Sequence, residues 1–68
     1  MAGTITVNDC AMPWHSGMTV ADVLREARFV FPLLVVSLDG RLVPRADYDS
    51  VQVPDGSRVD VIHLMSGG

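Results

Sequence analysis

Of the 68 residues in this chain, a single stretch carries the period of an amphipathic helix, and that scarcity decides most of what the chain can fold into. Val20, Val23, Leu24 and Ala27 fall at the i, i+3, i+4 and i+7 positions of one face, with Arg25 and Glu26 turned away. Thr19 is a good N-cap. Asp22, three residues later, reaches back as a shorter version of the capping-box acid, and its charge suits a helix N-terminus. The spacing predicts a helix from about Val20 to Arg28. The remainder reads as strand and turn, so one helix is available to cover one face of one sheet.

Before the helix, Thr4-Ile5-Thr6-Val7 alternates with β-branched residues, and Asn8-Asp9 is a turn pair that tolerates left-handed backbone angles. A first hairpin follows, its return strand running from about Cys10 to Trp14. Pro13 makes that strand short or confines it to a sheet edge. After the helix, Phe29-Val30-Phe31-Pro32 has no helical period and reads as a loop whose two aromatics tuck under the helix end. Leu33 to Leu38 is a nearly continuous apolar run, the pattern of a central strand. Asp39-Gly40 then turns the chain into Arg41-Leu42-Val43, which Pro44 stops. Asp47-Tyr48-Asp49 predicts a short helical turn, Val51-Gln52-Val53 a brief extended piece, and Pro54-Asp55-Gly56 another turn. In the last strand, Arg58 to Leu64, Val59 and Val61 share one face while Asp60 and Ile62 share the other. Strand, strand, helix, strand, short strand, strand is an α+β roll of the β-grasp type, with a mixed four- to five-stranded sheet and one main helix. Residues 1–64 form the single domain, and 65–68 a C-terminal tail.

Composition narrows the function classes. Apolar residues make up 49% of the chain and charged residues 19%, which is globular composition. A domain this small buries only about 60% of its unfolded surface, leaving little room for an enclosed active site. Five basic residues scattered among eight acidic ones form no footprint for a phosphate backbone. The N-terminus lacks the basic flank and apolar stretch of a signal peptide, and no run is long enough to span a membrane. The lone Cys10 excludes an intramolecular disulfide, so the expected setting is a reducing cytoplasm. Cys10 is expected to serve as a small packing residue, and Trp14 to pack against the sheet edge. His15 and His63 lie far apart and lack an acid or nucleophile network for hydrolysis. Asp47, Asp49 and Asp55 belong to turns and form no metal loop.

The chain ends Leu64-Met65-Ser66-Gly67-Gly68. Glycine has no Cβ, so two in succession make the thinnest tail available for threading a narrow enzyme channel. That form points to chemistry on the terminal carboxylate of Gly68, with Gly67, Ser66 and Met65 as the remainder of the tail. Ile62 and Leu64 are candidates for an apolar docking patch, Leu64 alternatively closing the core. Arg41 and Arg45 flank the second hairpin, forming either a solvated face or a contact for an acidic partner surface.

Ile5-Thr6-Val7-Asn8-Asp9, Thr19-Val20 leading to Val23-Leu24, the run Val36 to Arg45, Asp55-Gly56 and terminal Gly67-Gly68 together resemble the ThiS-like sulfur carriers of thiamine biosynthesis. These belong to the ubiquitin-like β-grasp superfamily, which also holds the small molybdopterin-synthase subunit. Val43-Pro44-Arg45 after the hairpin favours the thiamine branch. Asp9 stands where the family usually has glycine, and Asp39 where it often has asparagine. The resemblance implies a carrier that is not itself an enzyme and binds no cofactor. Its partner, an E1-like (ThiF-like) adenylyltransferase, would use ATP and magnesium to adenylate Gly68. Sulfur from a cysteine desulfurase would then form a thiocarboxylate, which a ThiG-like thiazole synthase would consume. The alternatives are the same chemistry serving molybdopterin or tRNA thiolation, and a ubiquitin-like interaction module or protein modifier.

Overall fold

The computed structural model describes residues 3–29 and 34–63. Gly3–Val7 (β1) and Cys10–Trp14 (β2) form the first hairpin, Val20–Glu26 is the helix (α1), and Leu34–Leu38 (β3) and Arg41–Val43 (β4) form the second hairpin. A short 3-10 turn, Arg45–Asp47, leads on to the last strand, Arg58–His63 (β5). The five strands form one mixed sheet, as the element pattern predicts, and their order in it is β2-β1-β5-β3-β4. β1 and β5 are parallel, and the other neighbours are antiparallel.

Both hairpin turns have the backbone their residues favour. Asn8 and Asp9 take φ of 49° and 66°, and Asp39 and Gly40 take 50° and 84°. Paired positive angles match the turn to the right-handed twist of its strands. Pro13 lies on an edge strand, where a missing N–H is tolerated. Thr19 caps the helix as expected: its hydroxyl accepts from the Asp22 N–H at 3.2 Å, and the Asp22 carboxylate accepts from the Thr19 N–H at 3.0 Å. That backbone bond holds the Asp22 carboxyl below its usual range.

The helix stops at Glu26, two residues short of the predicted Arg28. Arg28 takes φ 63°, the Phe29 N–H reaches the Leu24 carbonyl at 2.8 Å, and the Arg28 N–H reaches that of Arg25 at 3.2 Å. This is a Schellman ending, closed by the apolar contact of Leu24 and Phe29 with the core. An arginine occupies the place that usually signals the stop with glycine. Arg28→Gly should therefore raise stability by about 1 kcal/mol, because glycine adopts positive φ without a Cβ penalty. Thermal unfolding would show this as a rise in Tm of roughly 5 °C.

The core lies between α1 and one sheet face. It gathers Ile5, Val7, Val36, Val43, Val59 and Val61 from the sheet, Val20, Val23 and Leu24 from the helix, and Met18 and Val53 from the connections. Trp14 packs against this core, and its indole N–H donates to the Val53 carbonyl at 2.6 Å. Phe29 tucks under the helix end as expected, while Phe31 lies outside the described residues.

β5 takes the middle of the sheet, and β3, flanked by β5 and β4, is an interior strand as its apolar run predicts. Its run is apolar because Val36 faces the core while Val35 lies half-buried on the opposite, helix-free face. Apolar residues on both sides of a strand mimic double burial.

Candidate functional site

β5 runs from Arg58 towards the C-terminus, held by β1 on one side and β3 on the other. Its alternation sends Val59 and Val61 into the core and Arg58, Asp60 and Ile62 to the open face. Along this face the character changes. Arg58 pairs with Asp9 at 3.2 Å and with Asp60 at 3.3 Å, so the start of the strand is polar. Beyond it, Ile62 is 58% exposed and in register with Val35. Leu42, 69% exposed and opposite Ser37, adds a second large apolar side chain to the same face. The open face thus becomes apolar towards the His63 end of β5.

The position predicted for Ile62 agrees with this arrangement, but Leu42 and Val35 were not anticipated as part of it. The signal for Leu42 was local: a two-residue Asp39-Gly40 turn places Leu42 opposite Ser37, on the face away from Val43. Arg41 and Arg45 are both exposed, but the structure does not join them to Ile62. Arg41 is in register with Leu38, on the face opposite Leu42, and Arg45 belongs to the 3-10 turn. Leu64, Met65, Ser66, Gly67 and Gly68 lie outside the described residues, as does the His63 side chain.

Two expectations are corrected. Cys10 does not pack inside; it is exposed and borders an open cavity of about 340 Å³ between β2 and the end of α1, with Met12, Ala27 and Phe29. A position beside a tight turn on an edge strand has no second layer to bury it. His15 does have an acid, because folding brings Glu26 to 3.2 Å from its Nε2. Both side chains are largely exposed, at 57% and 42%. The Glu26 hydrogen bond, with help from the Ser16 carbonyl, raises the His15 pKa above its ordinary value. A raised folded-state pKa means that the pair's support for the fold is complete below the unfolded histidine value, near 6.5, and is lost as pH rises through the folded value. Glu26→Gln should lower the His15 midpoint in an NMR titration of its ring protons; an unchanged midpoint would show that the pair does not persist in solution.

Asp55 departs from a purely local turn role, since its Oδ1 accepts from the Thr4 N–H at 3.1 Å. Among the described residues no group of three His, Cys, Asp or Glu side chains is placed to hold a metal ion. No helix among them is long and apolar enough to cross a membrane.

What this geometry offers is a handle: an apolar face of modest size towards the end of β5. No curated protein sequence matches the chain. Among solved structures it is similar to the crystal structure of thiamine biosynthesis protein ThiS from Geobacter metallireducens, with a TM-score of 0.76 and 26% identity, over 96% of this chain and 99% of that one. That likeness agrees with the β-grasp roll expected from the order of elements. A family model described as the ThiS family matches residues 5–68, from the first strand through the terminal glycine pair, and the chain therefore belongs to the ThiS family.

Proposed function

We propose that this chain is a sulfur carrier for thiazole formation in thiamine biosynthesis, and that its working group is the carboxylate of Gly68. The observation that carries the reading is the family match, which extends to Gly67 and Gly68. The similar structure from Geobacter metallireducens, a thiamine biosynthesis protein, supports the same pathway.

The chemistry follows from what a carboxylate lacks. It is a poor electrophile because its leaving group would be oxide. An E1-like adenylyltransferase, using ATP and magnesium bound to itself, lets a Gly68 oxygen displace pyrophosphate from the α-phosphorus. The resulting acyl adenylate has AMP as a good leaving group. Persulfide sulfur from a cysteine desulfurase, reduced to the level of sulfide by a thiol that is itself oxidised to a disulfide, attacks the carbonyl carbon and expels AMP with one of the original oxygens. The thiocarboxylate that remains is nucleophilic and transferable, and a thiazole synthase takes its sulfur. The chain itself performs no catalytic step. Its body contributes a surface that partners can recognise, centred on Ile62, Leu42 and Val35, and its tail contributes reach.

Intact-protein mass spectrometry tests this directly. After incubation with an adenylating enzyme of the thiamine pathway, ATP, magnesium and a sulfide source, the chain should gain the mass of one oxygen replaced by sulfur. If it instead becomes attached to lysine side chains through an isopeptide bond and forms no thiocarboxylate, it is a protein modifier and the carrier reading is wrong.

A further inference from the structure

The parallel ladder between β1 and β5 ends early. Its last register pair is Val7 with Val59, and the Asn8 N–H donating to the Val59 carbonyl at 3.0 Å is its last backbone bond, after which the chain turns away into β2. β5 nevertheless continues to His63, paired on its other side with Leu34 and Val35.

Alternate residues of a strand offer their backbone groups to alternate neighbours. The carbonyls of Ser57 and Val59 are taken from the β1 side, and that of Arg58 by Asp39 from the other. The next groups due for a partner on the β1 side are the N–H and carbonyl of Val61, a residue only 6% exposed. β1 has no residue left to meet them, and the side chain of Asn8 does so instead. Its Oδ1 accepts from the Val61 N–H at 2.8 Å, and its Nδ2 donates to the Val61 carbonyl at 3.0 Å. A primary amide presents the same donor and acceptor as a peptide unit, so Asn8 adds one rung to the ladder with its side chain while its backbone, at φ 49°, begins the turn. Aspartate has the acceptor without the donor, and serine cannot present both in this geometry.

We propose that Asn8 is a positioning residue for the terminal carboxylate. By clamping Val61 from the β1 side, while β3 holds the other side of the strand as far as His63, it fixes the end of β5 from which the chain continues to Gly68, and so the reach and register of Gly68 in an adenylating enzyme. The proposal rests on the carrier reading. Each residue released from the sheet adds about 3.3 Å of extended chain, whereas a displacement of about 1 Å at a reacting centre is enough to slow chemistry markedly. The body's docking face is untouched by the clamp, so losing it should act on turnover and leave docking alone.

The test uses the full chain with Asn8→Gly, which keeps the positive φ of the turn and removes only the amide. Asn8→Asp is the companion, keeping the acceptor while setting a carboxylate against the Val61 carbonyl. In both, the Val61 amide should exchange with deuterium about tenfold faster than in wild type, with the Val36 and Val59 amides unchanged. With an adenylating enzyme, kcat for ATP-dependent pyrophosphate release should fall about fivefold to tenfold at unchanged KM for the carrier. Unchanged Val61 exchange would overturn the clamp. Faster exchange with unchanged kcat, or a rise in KM alone, would overturn its positioning role. A wild-type chain that no such enzyme adenylates would overturn the carrier reading itself, and with it the purpose assigned to Asn8, a result distinguishable because the exchange rates still report the clamp.

Discussion

Removing Gly68 alone should abolish sulfur loading of this chain while leaving its fold and stability unchanged. In the carrier reading the reacting carbon is that of the last residue, and truncation both shortens the tail by about 3.3 Å and removes one of the two residues without a Cβ. A carboxylate would still exist on Gly67, but it would stop short of the adenylating centre, and proximity is worth many orders of magnitude in rate. Among the described residues the core lies at or before Val61, and glycine has no side chain to pack. Mass spectrometry of the truncated chain, incubated beside the full-length one, should show no exchange of oxygen for sulfur, and its circular dichroism melt should overlay that of the parent. Normal loading of the truncated chain would place the reactive group elsewhere and end the carrier reading.

The second large effect is expected at Ile62. Ile62→Asp places a charge in the middle of the helix-free apolar face, next to Val35 and near Leu42. At 58% exposure the side chain contributes little to the fold, so stability should stay within about 0.5 kcal/mol of the parent. A docked partner would have to desolvate that carboxylate against an apolar counter-surface, which costs about 2 kcal/mol or more, roughly 30-fold in affinity. Titration calorimetry against the adenylating partner measures this. Leu42→Asp should weaken binding in the same direction, whereas Arg25→Asp, on the exposed side of the helix, should not. Equal affinity for Ile62→Asp and wild type would move the docking surface to another face. The two predictions separate cleanly: the truncation should leave docking through the body largely intact, and the surface substitution should leave the terminal chemistry intact once the enzyme is saturated.

Local signals carried much of the architecture. Asn8-Asp9 and Asp39-Gly40 announce their hairpins because few other residues accept paired positive φ. Thr19 and Asp22 announce the helix start because both halves of the capping box lie within four residues. The helix end was not legible, since Arg28 adopts the left-handed position without being glycine, held there by the contact of Phe29 with the core. The apolar run marks β3 as an interior strand without telling which strand takes the middle of the sheet: Val35 is apolar on an open face, and a pattern of hydrophobicity does not distinguish a residue kept for a partner from one kept for the core.

The candidate site divides along the same line. The outward placement of Ile62 could be read from alternation, a property of a few neighbouring residues. That β5 is the central strand, that Leu42 shares its open face, that Glu26 reaches His15, and that Asn8 closes on Val61 are pairings between segments distant in the chain. Backbone angles and periodicity act over a few residues, so the sequence by itself determined the elements, their turns and the character of the terminus. Which strands became neighbours, and which side chains met across them, was decided only when the whole chain buried one sheet face beneath a single helix.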